Sequence, residues 1–129
     1  MPGPAAAGVL LYAKNRAQLA HFYQQVLGMQ QLHEDAHITV LESAALQLLI
    51  HAIPAEIAAR ISIDTPPRRR EDVALKFFVT VPSIAQSAGV AKQLGGEVFE
   101  ERWQGPGFTL CNAMDCEGNV FQLRELQNS

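Results

Sequence analysis

The sequence predicts an α+β fold built from two copies of a β-α-β-β-β module, and two observations carry this prediction. In both halves a strand is followed by a helix that ends in Leu-Gly, at Leu27-Gly28 and at Leu94-Gly95. Each half then closes on a short apolar strand that contains one glutamine, Gln47 in the first half and Gln122 in the second. The copies are 67 residues apart at the helix ends and 75 apart at these glutamines. A duplicated module of this kind forms a cleft between its copies.

Length, composition and charge fit one compact domain and exclude several classes of partner. The chain has 129 residues, of which 48% are hydrophobic and 18% are charged. A net charge of -3 gives no general attraction to nucleic acid or anionic membranes. No apolar run approaches the roughly 20 residues of a membrane span. Cys111 and Cys116 are predicted to be free thiols. The apolar start, residues 1–7, lacks the basic residue of a signal peptide, so we expect a frayed tail and a cytoplasmic protein.

The first module is predicted to extend from about residue 8 to about residue 53. Val9–Ala13 is an apolar run of strand length, and Asn15 is a suitable N-cap for the helix that follows. Apolar residues recur at helical spacing up to Gly28, which predicts the end of that helix. Three further strands are predicted at Met29–Leu32, Ile38–Leu41 and Ala45–His51.

A linker is predicted at about residues 54–72, and the second module at about residues 73–125. Pro54–Arg60 can form a short helix, and the polar part of the linker contains Arg68–Arg70. Because Glu71 and Asp72 follow in an acidic chain, the three arginines indicate a solvated loop rather than a nucleic-acid site. The predicted elements of the second module are a strand at Leu75–Val81, a helix from the Ser83 cap to Leu94, and strands at Glu97–Trp103, Phe108–Ala113 and Asn119–Glu125.

Two segments carry a family resemblance. His21–Met29 matches the pattern F-Y-x-x-x-L-G, and Asn112–Glu125 is similar to D-P-x-G-x-x-x-E-L, with Cys116 replacing the proline and Gln122 the final glutamate. Over Gly8–Glu125 the chain therefore resembles the vicinal oxygen chelate superfamily, also called the glyoxalase, bleomycin-resistance and extradiol dioxygenase family. The resemblance implies an open, curved, eight-stranded mixed sheet around a cleft, with the helices outside. It also implies a homodimer.

In metal-using members, four positions on the first and last strands of each module bind a divalent ion. The resemblance places them here at Gly8, Gln47, Lys76 and Gln122, although Gln47 can slip by two residues within its strand. Glycine has no side chain, a neutral amide is a weak ligand, and a protonated lysine repels a divalent ion. We therefore predict no metal and no other cofactor, and the catalytic residues, if any, stay unassigned.

Strand alternation predicts which side chains line the cleft, because residues two apart share a face. The predicted ligand-binding residues are Tyr12, Gln47, His51, Lys76, Phe78, Gln122 and Arg124. This set suits a small polar or anionic molecule whose charge pairs with Lys76 or Arg124. Two interpretations stay open: a ligand site, or glutamines that bond each other or the backbone while Lys76 extends to water.

A second motif is a candidate zinc site. His33-Glu34-Asp35-Ala36-His37 matches the H-E-x-x-H string of zinc proteases. That motif works only on a helix, where both imidazoles lie on one face. Here the string is predicted at the tip of a β-hairpin, so we interpret it as a chance match.

The leading hypothesis is a metal-independent protein that binds a small molecule, as the bleomycin-resistance branch does by sequestration. The alternative is a lyase, isomerase or dioxygenase of the same superfamily. It would use a metal on other ligands, such as His37 or His51, or metal-free acid–base chemistry at Lys76 or His51. A third possibility is a non-catalytic scaffold whose cleft is filled by its own side chains. Neither nucleic acid nor a membrane is expected as a partner.

Overall fold

The computed structural model describes residues 5–43 and 45–127, and the chain divides into two compact units. The first unit extends to Ser62 and the second begins at Ile63. The first four residues of the predicted tail lie outside the described residues. Both units combine helices with a mixed sheet, which confirms the α+β class. No helix within the described ranges is long and apolar enough to cross a membrane.

The first unit has the predicted β-α-β-β-β order. Its elements are β1 (Gly8–Ala13), α1 (Arg16–Leu27), β2 (Gln30–Glu34), β3 (Ile38–Glu42), β4 (Gln47–Ala52) and the single turn α2 (Ala55–Ala58). The sheet order is β1-β4-β3-β2. β1 lies parallel to β4, whereas the other two pairs are antiparallel. The last strand of the module, β4, therefore lies beside the first, β1.

Helix α1 begins and ends where the sequence predicts. The Asn15 side chain accepts a hydrogen bond from the backbone N–H of Gln18, and Gly28 ends the helix with a left-handed φ of 65°. Such a φ strains any residue with a Cβ, which explains the glycine. The buried side of the helix packs on β3 and β4, and its fully buried residues include Leu19, Phe22 and Tyr23.

The second unit repeats this order with one more strand. Its elements are β5 (Phe78–Thr80), α3 (Ile84–Gln93), β6 (Glu97–Val98), β7 (Trp103–Gly105), β8 (Phe108–Met114) and β9 (Val120–Leu126). The sheet order is β5-β9-β8-β6, and β7 also pairs with β8. β5 and β9 are parallel, as β1 and β4 are in the first unit. The Ser83 hydroxyl caps α3 by accepting from the N–H of Gln86.

The second unit corrects two predicted strands. The expected strand Glu97–Trp103 is divided into β6 and β7, so the described residues form nine strands instead of eight. Between the two pieces, the Arg102 guanidinium donates to the carbonyls of Phe99 and Glu100, which folds the chain back on itself. The expected strand Leu75–Val81 is reduced to Phe78–Thr80. Its partner β9 begins only at Val120, which leaves Leu75 without a strand to pair with.

The three arginines of the linker are exposed in a loop, as predicted, but Arg69 and Arg70 also contact the rest of the second unit. Arg70 forms a parallel bridge with Asn119, and its backbone N–H donates to the carbonyl of Gly118. The Arg69 guanidinium lies 3.8 Å from the ring centroid of Phe99. Gly118 has a φ of 89°, and a Cβ there would collide with the Arg68 carbonyl oxygen. Glycine at this turn therefore permits the close approach of the linker.

Candidate functional site

Each sheet has one face covered by a helix and one open face. In the first unit, Leu48 and Ile50 are buried beneath α1, while the residues between and beside them are half-buried. The open face of the first unit carries Leu10, Tyr12, Gln47, Leu49 and His51. The predicted alternation of the strands is therefore present in the burial pattern.

The amide of Gln47 is engaged inside the first unit. Its Nε2 donates to Oε1 of Glu42 at 3.0 Å, and the two residues lie directly opposite each other on β4 and β3. The same carboxylate oxygen accepts from the backbone N–H of Ala5 at 2.9 Å. These bonds bring a carboxylate to this end of the sheet, which makes it a poor place for an anionic ligand.

Tyr12 and His51 lie side by side at the other end of this face. They are register partners on β1 and β4, and their ring centroids are 5.7 Å apart. Nδ1 of His51 lies 2.8 Å from the carbonyl oxygen of Ala52. A carbonyl oxygen can only accept, so Nδ1 carries the proton and Nε2 holds the lone pair in the neutral ring. His51 also borders a cavity of about 630 Å³ together with His37 and Lys14.

The open face of the second unit is centred on Arg124. Its guanidinium carbon lies 3.6 Å from the ring centroid of Phe78 and 4.6 Å from that of Phe108. Its Nε donates to Oε1 of Gln122 at 2.9 Å. Two aromatic contacts and one hydrogen bond thus fix the cation. We call Phe78, Phe108, Gln122 and Arg124 the arginine site.

Lys76 brings a second cation to the same face. Its Nζ donates to Oδ1 of Asn112 at 3.1 Å, and Asn112 lies directly opposite Gln122 on the neighbouring strand. Within the ranges that the structure describes, neither Lys76 nor Arg124 forms a salt bridge with an acidic side chain. This face therefore presents two positive charges that are not paired with a carboxylate among residues 63–127.

The register of the parallel strands shows which residues of the two units are equivalent. Tyr12 precedes the cap of α1 by three residues, and Thr80 precedes the cap of α3 by the same distance. Tyr12 pairs with His51, whereas Thr80 pairs with Arg124. His51 and Arg124 therefore occupy equivalent positions.

This equivalence corrects the alignment of the two glutamines. Two residues before His51 and Arg124 lie Leu49 and Gln122, so Gln122 corresponds to Leu49 and not to Gln47. The sequence analysis allowed the position assigned to Gln47 to shift by two residues, and the register of the strands shows this shift. The positions that the resemblance assigns to metal ligands are therefore Gly8 and Leu49 in the first unit, and Lys76 and Gln122 in the second.

These four residues do not fit a divalent metal. A side chain at Gly8 would put its Cβ 2.9 Å from the backbone oxygen of Gln47, and Leu49 offers no donor atom. Lys76 is a cation, and the amide oxygen of Gln122 is already engaged by Arg124. Elsewhere in the described chain, no group of three or more His, Cys, Asp or Glu side chains is arranged to hold a metal ion.

The H-E-x-x-H string lies at a hairpin tip, as predicted. β2 ends at Glu34 and β3 begins at Ile38, so the two histidines are not on a helix. Asp35 makes the turn, since its Oδ1 accepts from the N–H groups of His37 and Ile38. These bonds and the contact with His33 lower the pKa of Asp35 to about 2. The zinc-protease interpretation is excluded by this geometry.

Neither cysteine is poised as a nucleophile. Burial raises the pKa of Cys111, and burial with the neighbouring charges of Asp115 and Glu117 raises the pKa of Cys116 to about 12. A thiol reacts through its thiolate, which these surroundings disfavour. Both thiols are free and buried, and their role is packing.

The sequence reasoning missed two residues of the second open face. Phe108 and Asn112 lie on β8 at even spacing with the half-buried Leu110, and they contact the predicted Arg124 and Lys76. The signal was present, because the same period of two that assigned the β9 residues also applies to β8. The missing information was which face of β8 is opposite Gln122 and Arg124.

Comparisons with known proteins agree with the fold. A family model described as a glyoxalase-like domain matches residues 8–124. A search of curated proteins found no match. Among solved structures, a glyoxalase/bleomycin resistance protein/dioxygenase family enzyme from Burkholderia phytofirmans PsJN aligns with a TM-score of 0.71 at 16% identity, covering 96% of this chain and 100% of the other.

Two further solved structures extend this comparison. The fosfomycin resistance protein FosX from Listeria monocytogenes, in its hexagonal form, has a TM-score of 0.66 at 16% identity, with coverages of 98% and 96%. A lactoylglutathione lyase from Agrobacterium tumefaciens has a TM-score of 0.60 at 19% identity, with coverages of 97% and 96%. Likenesses at this identity show the fold alone. Together with the family model, they show that this chain belongs to the glyoxalase-like domain family of the vicinal oxygen chelate superfamily.

Proposed function

We propose that this protein is a metal-independent member of its family that binds a small organic anion at the arginine site. In this proposal Arg124 pairs with the negative charge, and Phe78 and Phe108 contact an apolar part of the ligand. The protein acts by binding and sequestration, without turnover.

One observation carries this proposal, the fixed guanidinium of Arg124. Aromatic rings and Gln122 hold it, which lowers the conformational entropy that ligand binding would cost. Its Nη donors have no carboxylate partner among the described acidic residues, so they can bind a carboxylate or phosphonate in a bidentate manner. Phe78 is 50% exposed, which supports an apolar contact for the ligand beside the charge.

Metal independence is the second part of the proposal. The donor set at Gly8, Leu49, Lys76 and Gln122 argues against a bound divalent ion. Metal content should be measured by mass spectrometry on untagged protein purified without chelators. We expect a folded protein with far less than one transition metal per chain. Stoichiometric zinc, iron, nickel or manganese would overturn this part and favour an enzyme with other ligands.

The binding proposal is tested with benzoate and phenylphosphonate, two anions that join one charge centre to one ring. Isothermal titration should show binding to the wild type that Arg124→Gln weakens by about tenfold or more, since a charge-assisted hydrogen bond contributes about 1.5–3 kcal/mol. Arg60→Gln is the matched control, because Arg60 is exposed in the first unit. Equal affinities of the three proteins, or no binding to any of them, would contradict the proposal.

The names of two similar structures supply further probes. One similar structure is named as a fosfomycin resistance protein and another as a lactoylglutathione lyase. Fosfomycin and lactoylglutathione are both anions. Each compound should be tested for binding and for turnover on the same variants. Turnover of either would replace sequestration with an enzymatic function.

A second candidate function is metal-free acid–base chemistry at His51. The hydrogen bond from its Nδ1 to Ala52 leaves Nε2 as a base, and the ring borders the cavity of about 630 Å³. If this function holds, His51→Gln abolishes turnover. Reactivity that survives His51→Gln would remove this candidate.

Assembly and location complete the proposal. We expect a homodimer in the cytoplasm. The exposed apolar side chains of Leu10 and Tyr12 on the edge strand β1 support a further contact, and two free buried thiols fit a reducing compartment. Light scattering should give twice the mass of one chain, and a mass of one chain would contradict the dimer.

A further inference from the structure

We infer that a polar pocket between the linker and the second sheet binds a phosphate group, so that the ligand of this protein is a phosphorylated or phosphonylated small molecule. This inference rests on the proposed function, because it identifies the chemical class of the anion. The pocket, called here the linker pocket, is lined by Arg69, Arg70, Glu71, Lys76, Asn112 and Val120, with other residues of the same segment.

The charges of the linker pocket favour an anion. Arg69, Arg70 and Lys76 contribute three positive charges, and Glu71 is its one carboxylate within the described residues. Glu71 is already paired, since its Oε1 lies 3.1 Å from Nε of Arg69. The two cations that remain match the double charge of a phosphate monoester near neutral pH better than the single charge of a carboxylate.

Each cation in the pocket is held by the fold. Nε of Arg70 donates to the carbonyl of Glu117 at 3.1 Å, and the backbone of Arg70 is bonded to Gly118. Arg69 is fixed by Glu71 and by the ring of Phe99. Surface arginines normally lose much side-chain entropy when they bind a ligand. Here the β8–β9 turn restricts Arg70, while Glu71 and Phe99 restrict Arg69, so less of that cost remains.

The size of the pocket indicates a single group and not a whole ligand. Its volume is about 250 Å³, below the range of roughly 300–1,000 Å³ that encloses a drug-sized molecule. A phosphate fits this space and offers several acceptor oxygens. The guanidinium of Arg70 and the ammonium of Lys76 are the donors for such a group.

The linker pocket is connected to the arginine site through two amides. Lys76 donates to Asn112, Asn112 lies opposite Gln122, and Gln122 accepts from Arg124. One ligand can therefore place its phosphate at Lys76 while a second polar or aromatic part reaches Arg124. This arrangement assigns Lys76 and Arg124 to the two ends of one molecule.

Inorganic phosphate tests the pocket without reference to the arginine site. Binding to the intact protein should be followed by titration and by the NMR shifts of the Asn112 side-chain amide. We expect Lys76→Met to weaken phosphate binding by about tenfold, the loss of one charged hydrogen bond. Lys92→Met is the matched control, because Lys92 is exposed on α3, and it should leave the affinity unchanged. Arg70→Lys keeps the charge and should weaken binding less than Lys76→Met.

The outcomes separate this inference from the proposed function. Phosphate that binds the wild type and Arg124→Gln equally, but Lys76→Met weakly, supports the linker pocket. An Asn112 amide that does not shift, or a Lys76→Met affinity equal to that of Lys92→Met, overturns it. If benzoate still depends on Arg124 in that case, the proposed function stands alone. The affinities of phenyl phosphate and inorganic phosphate should also be compared. Tighter binding of phenyl phosphate indicates an organic ligand that spans both sites, whereas equal affinities indicate a site for free phosphate.

Discussion

The open face of each unit carries a glutamine, but the two glutamines are hydrogen-bonded to groups of opposite charge. In the first unit, the amide of Gln47 donates to the carboxylate of Glu42, so a negative charge lies beside it. In the second unit, the amide of Gln122 accepts from Arg124, and a positive charge lies beside it. The neighbour of each glutamine, more than the glutamine itself, decides the electrostatic character of the face.

The frames that carry these faces are equivalent where the helices begin. The side chains of Asn15 and Ser83 each accept the N–H of the residue three positions later. The units differ in their turns and loops, because the second unit receives the linker arginines at its β8–β9 turn. The functional difference therefore arises where side chains and loops are added to a common frame, and variants of matched positions can test this conclusion.

The largest effect is expected at the turn between β8 and β9. The carboxylate of Asp115 is fully buried and accepts from the N–H of Glu117 and from two groups of Asn119, at 2.8–3.0 Å. Asp115→Ala would leave one buried and two partly buried donors without this partner, so we expect the free energy of unfolding to fall by about 3 kcal/mol. Urea unfolding measures this change.

The matched variant in the first unit is Ser43→Ala, between β3 and β4. The Ser43 hydroxyl makes a long bond of 3.5 Å to the carbonyl of Leu46, so its loss should cost about 0.5 kcal/mol or less. Similar costs for the two variants would mean that the buried Asp115 does not make the β8–β9 turn more dependent on a side chain than the β3–β4 turn is.

The next effect compares two glycines with positive φ. Gly118 has a φ of 89° and no room for a Cβ, whereas Gly28 has a φ of 65° and open space around it. Gly28→Ala should cost about 1–2 kcal/mol of stability from backbone strain alone. Gly118→Ala adds the collision with Arg68 and should cost more and also displace the linker. Thermal unfolding checks the order, and loss of phosphate binding in Gly118→Ala reports the displacement.

Sequence patterns predicted most of this fold because their signals are local. The caps at Asn15 and Ser83, the Gly28 stop and the hairpin at Asp35 each depend on a few adjacent residues, and all four are present. The split of β6 from β7 was not predictable, because it depends on bonds that Arg102 makes to the carbonyls behind it. Propensity scales describe single residues and do not include hydrogen bonds from a side chain to nearby backbone carbonyls.

The candidate site was less predictable, because strand register is a long-range property. A slip of two residues keeps every side chain on its face, so alternation alone could not distinguish Gln47 from Leu49 as the partner of Gln122. The linker arginines are exposed, as their charge pattern predicted. The contacts of Arg69 with the ring of Phe99 and of Arg70 with the turn at Gly118 were not predictable, because they join residues far apart in the sequence.

The two helix caps should have equal effects on stability. Asn15→Ala and Ser83→Ala each remove one side-chain acceptor from a helix start, for an expected cost of about 1 kcal/mol. Asn15→Asp and Ser83→Thr retain the acceptor and should retain most of the stability. Denaturant midpoints measure all four variants. A cost at one cap more than double that at the other would mean that the frames are not equivalent.

The smallest effect is expected at the hairpin tip of the first unit. The pKa of Asp35 is lowered from 3.8 to about 2, first by the N–H of His37 and then by the side chain of His33. A folded pKa below the unfolded one means that this carboxylate contributes stability above about pH 4 and loses the contribution as the pH falls through 2. The turn of the second unit at Pro106 and Gly107 has no carboxylate and should show no such dependence.

This pH dependence separates the two hairpins at the level of single amides. Lowering the pH from 5 to 2 should reduce hydrogen-exchange protection at the N–H groups of His37 and Ile38, after correction for the intrinsic exchange rate, because protonated Asp35 is a weaker acceptor. Asp35→Asn should remove most of that change, since its amide oxygen has no proton to gain. An NMR titration that returns an Asp35 pKa near 4 would contradict the hydrogen bonds that define this tip. The turn of the first hairpin would then have no carboxylate that organises it, as in the second hairpin, and the contrast between the two units would be confined to their open faces and the β8–β9 turn.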